Sequence, residues 1–216
     1  MRKRDLIISK KLLKTGEVII FPTETVFGLG ADATNLKAIK KVYKLKNRPE
    51  SNPLICHFKS LNEIKKNFYM NDLELKIAKL FWPGPLTLIL KRKKSSKICL
   101  KLSNNKSLIG CRIPKNKIAL ELLKSVKFPI AAPSANLSTK TSVTRYEDID
   151  PKLRKNVFAI NGNSLLGLES TVIYVIKNKI KILRLGSLTE EEIKKKIKNV
   201  GINFVKIKKI SPGTQK

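Results

Sequence analysis

Hydroxyl, amide and glycine functions are concentrated in two short segments, Phe21-Pro22-Thr23-Glu24-Thr25-Val26-Phe27-Gly28-Leu29-Gly30 and Ala132-Pro133-Ser134-Ala135-Asn136. Such residues hydrogen-bond small polar ligands. Each segment follows an apolar run that reads as a buried strand, Val18–Phe21 and Phe128–Ala132, and each run is stopped by a proline. In an open α/β sheet, ligands sit beyond the carboxyl ends of strands, so two loops of this kind point to one pocket. A third hydroxyl-rich stretch, Leu168-Glu169-Ser170-Thr171, also abuts a strand, although alone it could be only a turn.

Cationic chemistry is available beside these loops. Lys46-Asn47-Arg48 leads through Pro49 to Asn52-Pro53-Leu54, directly after a helix ending near Leu45. Two cations within three residues suit a triphosphate or a carboxylate. The competing reading is a lysine-rich helix end complementing its own dipole. The chain carries 46 Lys+Arg against 16 Asp+Glu, a formal net charge of +30 in 216 residues. That excess fits a polyanion-binding surface or the lysine-rich drift of an AT-rich coding sequence. Only eight of the 46 cations are arginine, and Arg48, Arg112 and Arg184 lie within or beside the strand and loop segments that carry polar chemistry. Arginine offers a fixed fork for carboxylate or phosphate that lysine cannot copy.

Three other signals carry less. His57, the single histidine, lies in an apolar strand with no carboxylate in view and reads first as a packed residue. Trp82-Pro83-Gly84-Pro85 reads as a packed corner rather than a base-stacking platform. Gly28-Leu29-Gly30-Ala31-Asp32-Ala33 fits G-x-G-x-x-A, with Glu50 about twenty residues on. That fingerprint needs glycine at the strand-to-helix turn, whereas Pro22-Thr23-Glu24-Thr25 intervenes and the helix starts after Ala33, so the dinucleotide reading is rejected. No P-loop motif occurs.

Elements that position these residues alternate along the chain. The pattern predicts helices over Met1–Leu13, from Thr34 or Asn35 to Leu45, and over Leu61–Phe68, Leu73–Phe81, Lys117–Val126 and Thr189–Ile197. In the second, Leu36, Ile39, Val42 and Tyr43 share a face; the last opens on a capping box, Thr189 with Glu192. Strands are predicted at Val18–Phe21, Leu54–Phe58, Leu86–Leu90, Leu108–Ile113, Phe128–Ala132, Val157–Ile160, Thr171–Ile176 and Lys179–Leu183, the last two joined by a tight turn at Lys177-Asn178. Lys91–Lys97 reads as a solvated hairpin loop, with a phosphate-tracking finger as the minority reading. Strands outnumber helices and some are hairpins, so an α/β (α+β) fold on a mixed sheet is expected. One domain over 1–206 with a short tail at 207–216 is the simplest division.

Composition sets limits. No apolar stretch approaches the ~20 residues needed to span a bilayer, and Asp5 with Lys10-Lys11 interrupts any signal-peptide core. Cys56, Cys99 and Cys111 are widely spaced and fit neither a zinc knuckle nor a disulfide framework, which favours a reducing, cytoplasmic setting.

Taken in order and spacing, six segments together resemble the YrdC family, the threonylcarbamoyl-AMP synthases: Pro22–Asp32, Lys46-Asn47-Arg48 through His57, Pro83–Thr87, Gly110–Pro114, Ala131–Ser138 and Gly167–Val172. The similarity spans roughly Leu12 to Thr189. It implies a twisted mixed β-sheet with flanking helices around a large positively charged cavity. It also implies an ATP-dependent reaction of L-threonine with bicarbonate or CO2, giving threonylcarbamoyl-adenylate and pyrophosphate. Downstream tRNA threonylcarbamoyl-transferase proteins then modify the adenosine beside the anticodon. The resemblance implies that threonine meets Thr25, His57, Arg112, Ala132 and Ser170. It places the nucleotide against Lys46, Arg48, Asn52, Leu108, Ser134, Ser142 and Arg184, with Lys46 and Arg48 as electrostatic candidates for catalysis. No covalent nucleophile and no resident metal are implied; Mg2+ is expected with ATP.

Two departures from the family pattern stand out. Where the family usually has threonine, four residues before Arg112, this chain has Leu108, which leaves only a backbone contact to the nucleotide. Longer relatives continue through a Ser-Pro-Gly linker that closes over the nucleotide, whereas this chain reaches Ser211-Pro212-Gly213-Thr214 and stops at Lys216. It is expected to be either a short form with a vestigial tail or a form whose cover is lost. Competing expectations are a non-catalytic double-stranded RNA or tRNA-binding module, and a carbamoyl-transfer module of a hydrogenase-maturation protein, which the lack of paired cysteines disfavours. Direct tRNA contact is compatible with the charge.

Overall fold

The computed structural model describes residues 1–136, 141–177, 179–197 and the strand 202–204. The expected tail, the end of the Ala131–Ser138 segment and Asn178 of the expected turn lie outside the described residues. The elements run α1 (Lys3–Lys14), β1 (Ile19–Pro22), β2 (Phe27–Asp32), α2 (Leu36–Leu45), β3 (Ile55–His57), α3 (Leu61–Asn67), β4 (Phe68–Tyr69), α4 (Asp72–Phe81) and β5 (Leu86–Arg92). They continue through a 3₁₀ turn (Leu100–Ser103), β6 (Leu108–Arg112), α5 (Lys117–Ser125), β7 (Ile130–Ala132), α6 (Pro151–Asn156), β8 (Phe158–Ala159), β9 (Thr171–Ile176), β10 (Lys179–Arg184), α7 (Glu190–Lys196) and β11 (Ile202–Phe204).

The strands form one mixed sheet in the order β11-β10-β9-β5-β6-β3-β7-β2-β1-β8, with β4 attached to β5. Parallel pairs (β1–β8, β3–β6, β5–β9, β10–β11) interleave with antiparallel ones, as the hairpin-containing pattern predicts. Helix starts follow their capping chemistry. Asn35, Ser60, Asn71, Asn116, Asp150 and Thr189 each accept from a backbone N–H of the first turn. The Thr189–Glu192 capping box forms as read from the sequence.

Side chains alternate between faces along a strand, and this alternation divides core from site. Cys56 on β3 lies opposite Cys111 on β6 and Ala131 on β7, and all three belong to the larger core, with Ile39, Val42, Ile77, Phe81 and Ile193 from the helices. Ile55, His57, Arg112 and Ala132 occupy the intervening rungs and point to the opposite face. There a second cluster packs Leu13 of α1 and Leu122 and Leu123 of α5 onto Ile19, Phe21 and Ile130. Cys56 and Cys111 are free thiols whose acidity burial suppresses.

Several expectations need correction. The segment after Pro22 is not one loop running to a helix: Phe27–Asp32 is β2, antiparallel to β1 through a turn at 23–26. Glycines depress strand propensity and so hid it. A Cβ on Gly30 would fall 2.6 Å from Phe21 Cε1, so a bare backbone is what lets β2 lie against β1. Leu36 does not share the buried face of α2 but is 47% exposed; Ala38 takes its place. The 91–97 segment opens the connection between antiparallel β5 and β6 with Lys94, Ser95 and Lys97 exposed, as expected, but β5 runs on through Arg92, and Ser96 is buried with its Oγ donating to Asn67 Oδ1 at 2.8 Å. Three short elements escape the pattern: α6, β4 and β11.

Candidate active site

The segments singled out by chemistry converge. Thr25, Arg48, His57, Arg112, Ala132, Ser134, Ser170 and Arg184 all line one cleft, together with Thr23, Val26, Phe27, Gly28, Ile55, Pro133 and Glu169. The wall is only partly made of loops beyond strand ends. Phe27 and Gly28 of β2, Ile55 and His57 of β3, Arg112 of β6, Ala132 of β7 and Arg184 of β10 contribute from within strands. The cleft is therefore carved into a sheet face as well as its edge. A Cβ on Gly28 would press on Ala132 Cβ and Phe21 at 3.3 Å, so glycine there lets the wall close up.

Arg112 organises one half. Its Nη1 donates to Thr25 Oγ1 at 2.9 Å, its Nε donates to the Gly84 carbonyl at 3.2 Å, and its Nη2 pairs with Glu24 Oε1 at 2.8 Å. Gly84 is held by its own N–H to the Ile113 carbonyl, and Trp82 Nε1 donates to the Leu86 carbonyl at 2.7 Å, so the Trp82–Pro85 segment is the packed corner that the sequence suggests. Glu24 is buried; burial would raise its carboxyl, but Arg112 outweighs that and holds it below the ordinary carboxylate range. The Thr25 and Thr23 hydroxyls lie 2.8 Å apart. His57 is pushed down to about 3, first by burial and then by Arg112, so it is a neutral ring at any physiological pH. Its Nδ1 is buried without a hydrogen-bond partner among the described residues, on a side chain lining the cleft. That atom is suited to a polar ligand group.

The other half is built for anions. Asn47 adopts a left-handed φ of 47° after α2, with its N–H on the Lys44 carbonyl and the Arg48 N–H on the Tyr43 carbonyl. This Schellman ending turns the chain so that Lys46 and Arg48 leave the helix axis. Arg48 Nε donates to the Asn52 carbonyl at 3.1 Å and its Nη2 to the Pro53 carbonyl at 3.0 Å, which aims the guanidinium at the cleft. Lys46 is 2% exposed and donates to the Ser134 carbonyl and, at 3.4 Å, to Asn136 Oδ1. It braces the Ser134 loop from behind rather than serving its own helix end. Burial, reinforced by Arg48, lowers it to about 7. Arg184 pairs with Glu169 and donates to the Ser170 carbonyl at 2.8 Å; Ser170 Oγ lies 2.8 Å from Thr87 Oγ1.

Four expected nucleotide residues are not in the cleft wall. Lys46 lies behind it, and Asn52 supports Arg48 through its carbonyl. Leu108 opens β6 opposite Lys91 and packs on Ile89, Val172 and Leu183. Ser142 is half-buried and outside the wall. Glu24 and Glu169 carry no role that sequence reasoning could assign. Their only signal was adjacency to Thr25 and Ser170.

The chain belongs to the Sua5/YciO/YrdC family, described as "Telomere recombination", whose model matches residues 11–186. Threonylcarbamoyl-AMP synthase of Bacillus subtilis is 38% identical over 209 residues, covering 94% of this chain and 60% of the relative. A putative threonylcarbamoyl-AMP synthase of Methanocaldococcus jannaschii is 38% identical over 194 residues, 89% of this chain and 90% of the relative. Sua5 of P. abyssi, solved with L-threonine, superposes with a TM-score of 0.83 at 34% identity, over 99% of this chain and 64% of that one. This chain thus spans about three fifths of the length of the Bacillus relative. The fold expectation, a twisted mixed sheet with flanking helices, holds. Among the described residues no helix is long and apolar enough to cross a membrane.

Proposed function

We propose that this chain combines L-threonine, bicarbonate or CO2, and ATP into L-threonylcarbamoyladenylate with release of pyrophosphate. The carrying observation is the convergence of Thr25, His57, Arg112, Ala132 and Ser170 with Arg48, Ser134 and Arg184 on one cleft. Likeness to a relative solved with L-threonine supports the amino-acid assignment. Residues 1–206 form the synthase domain in this reading, the setting is cytoplasmic, and the product passes to transferase proteins acting on tRNA.

Chemistry follows from the two halves. The Arg112 fork, oriented by Thr25, Gly84 and Glu24, faces the amino-acid carboxylate. Thr25 and Ser170 read its hydroxyl, and a site built to hydrogen-bond a hydroxyl rejects analogues that lack it. The threonine amine captures CO2 as a carbamate, and a carbamate oxygen attacks the α-phosphate while pyrophosphate departs in line. Arg48 and Arg184, backed by Lys46, neutralise the charge spreading over the phosphates. Positioning supplies the rest, since no covalent intermediate is needed. Mg2+ would come with the nucleotide and supply further charge neutralisation at its phosphates; among the described residues no group of three or more His, Cys, Asp or Glu could hold a metal.

Pyrophosphate release by purified protein tests the reading. Release that requires both threonine and bicarbonate, and falls sharply with valine, which keeps the shape but lacks the hydroxyl, is expected. Tight, salt-sensitive RNA binding without such release would favour the nucleic-acid-binding alternative instead.

A further inference from the structure

Among the described residues, fourteen of the fifteen lining the cleft are cationic, neutral or apolar, and Glu169 is the one carboxylate. A carboxylate in a phosphate site is a liability unless it has a task. Its position suggests one. Glu169 pairs with Arg184 Nη1, while Nη2 of the same guanidinium is held by the Ser170 carbonyl and, at 3.3 Å, by Ser170 Oγ. The Glu169 charge also favours the protonated forms of Lys46 and Arg48, the other two cations assigned to phosphate.

The backbone here is clamped, whereas among the described residues the side chain is held by Arg184 alone. The Glu169 carbonyl accepts from Ser187 N at 2.9 Å and Ser187 Oγ at 3.1 Å. Gly186 passes so close that a Cβ on it would fall 2.0 Å from that carbonyl oxygen. The carboxylate, by contrast, keeps 31% of its side-chain surface open to solvent. It can turn toward water without moving the sheet. Glu24 contrasts with it: its side chain is 9% exposed and locked against Arg112.

We propose that Glu169 is an intramolecular stand-in for phosphate, which holds Arg184 until a phosphate chain takes it over and thereby sets how much negative charge a ligand must bring. This rests on the reading of the Arg48–Arg184 wall as the nucleotide's phosphate site. A single phosphate offers Arg184 little beyond what Glu169 already gives. A pyrophosphate or triphosphate reaches Arg48 and Arg184 together and wins the exchange. Glu169 thus acts as a specificity-determining residue that keeps free phosphate and monophosphates out.

Calorimetric titration with inorganic phosphate and pyrophosphate, with and without Mg2+, tests this on wild type, Glu169→Gln, Arg48→Ala and the surface control Glu17→Gln, whose native partner is Lys41. The amide still accepts a hydrogen bond from Arg184, and thermal unfolding of each variant checks the fold. Glu169→Gln is expected to tighten both anions, pyrophosphate by roughly tenfold, about the effect of freeing one charge-assisted contact. Glu17→Gln should change neither. Equal or weaker binding by Glu169→Gln overturns the proposal, as does an equal gain in Glu17→Gln, which would reduce the effect to net charge. Weakening that appears only with Mg2+ would assign Glu169 to the metal and also overturn it. If Arg48→Ala loses pyrophosphate while Glu169→Gln gains nothing, only this proposal falls; if Arg48→Ala binds as wild type does, the phosphate-site reading falls and takes the proposal with it.

Discussion

Glu24 Oε1 stands 2.8 Å from Arg112 Nη2, both side chains buried, at the junction of the β1–β2 turn and the end of β6. A fork that reads in the sequence as free for a carboxylate is thus partly engaged before any ligand arrives. The pair fixes the plane of the guanidinium, and Thr25 and Gly84 fix its rotation. The arrangement is preorganisation: the ordering entropy of a long side chain is met during folding, not binding.

Arg112→Ala should therefore do two things at once. Threonine use is expected to fall about 100-fold through lost charge-assisted contacts while ATP binding changes little. Stability should also drop by about 3–5 kcal/mol, because Glu24 would be left as an uncompensated buried charge. Urea unfolding of the Glu24→Ala/Arg112→Ala double variant should recover part of that loss without recovering threonine use; equal loss of threonine and ATP binding would contradict the division of the cleft into halves.

Thr25→Val keeps the volume but removes the acceptor of Arg112 Nη1 and the neighbour of Thr23 Oγ1. The KM for threonine should rise by roughly tenfold or more, since a buried donor loses its partner, with the KM for ATP nearly unchanged. Steady-state pyrophosphate release against each substrate separates the two.

Lys46 gives a pH dependence with a definite sign. Its folded value of about 7 lies below the ordinary lysine value of 10.5. Below 7 both folded and unfolded chains hold the proton, and the folded state bears the full cost of a buried cation. Between about 7 and 10.5 the unfolded chain binds a proton that the folded chain does not, so this residue makes stability rise with pH. The difference in unfolding free energy between wild type and Lys46→Met, followed from pH 6.5 to 10, should climb in favour of wild type. A flat difference would show that Lys46 keeps its ordinary acidity.

His57 should leave no mark near neutrality. Held at about 3 by burial and Arg112, the imidazole stays neutral, and its ring resonances in NMR should not titrate between pH 5 and 8. An inflection near 6.5 that vanishes in His57→Asn would overturn this assignment.

Sequence carried the sheet strands with apolar runs, the caps at Asn35 and Thr189 and eight of the groups that line the cleft, because each depends on local chemistry or on the spacing of motifs, whereas Lys46, Asn52, Leu108 and Ser142 fall outside the wall. Its failures have a common origin. β2 is built from Phe27-Gly28-Leu29-Gly30-Ala31-Asp32, whose glycines serve packing against Phe21 and Ala132, and close packing is invisible in single-residue propensity. Helix α6 carried its signal in Asp150-Pro151, a cap followed by proline in the first turn, but six residues are too few for periodicity to speak. Leu36 has the right spacing and the wrong outcome, because what covers a helix face is decided by distant segments. The roles of Glu24 and Glu169 depend on partners 88 and 15 positions away, Arg112 and Arg184.

Cys56 and His57 are chemical opposites in adjacent positions of a three-residue strand: one greasy and inert against the core, the other facing the cleft. Neighbouring strands obey the same parity, with Cys111 beside Arg112 and Ala131 beside Ala132. Inserting or deleting one residue in this central ribbon would exchange the two faces wholesale, sinking an arginine into the hydrocarbon interior and turning thiols toward the ligand. The length of these strands is consequently as tightly constrained as their composition, and tolerance to substitution along them should alternate like the teeth of a comb.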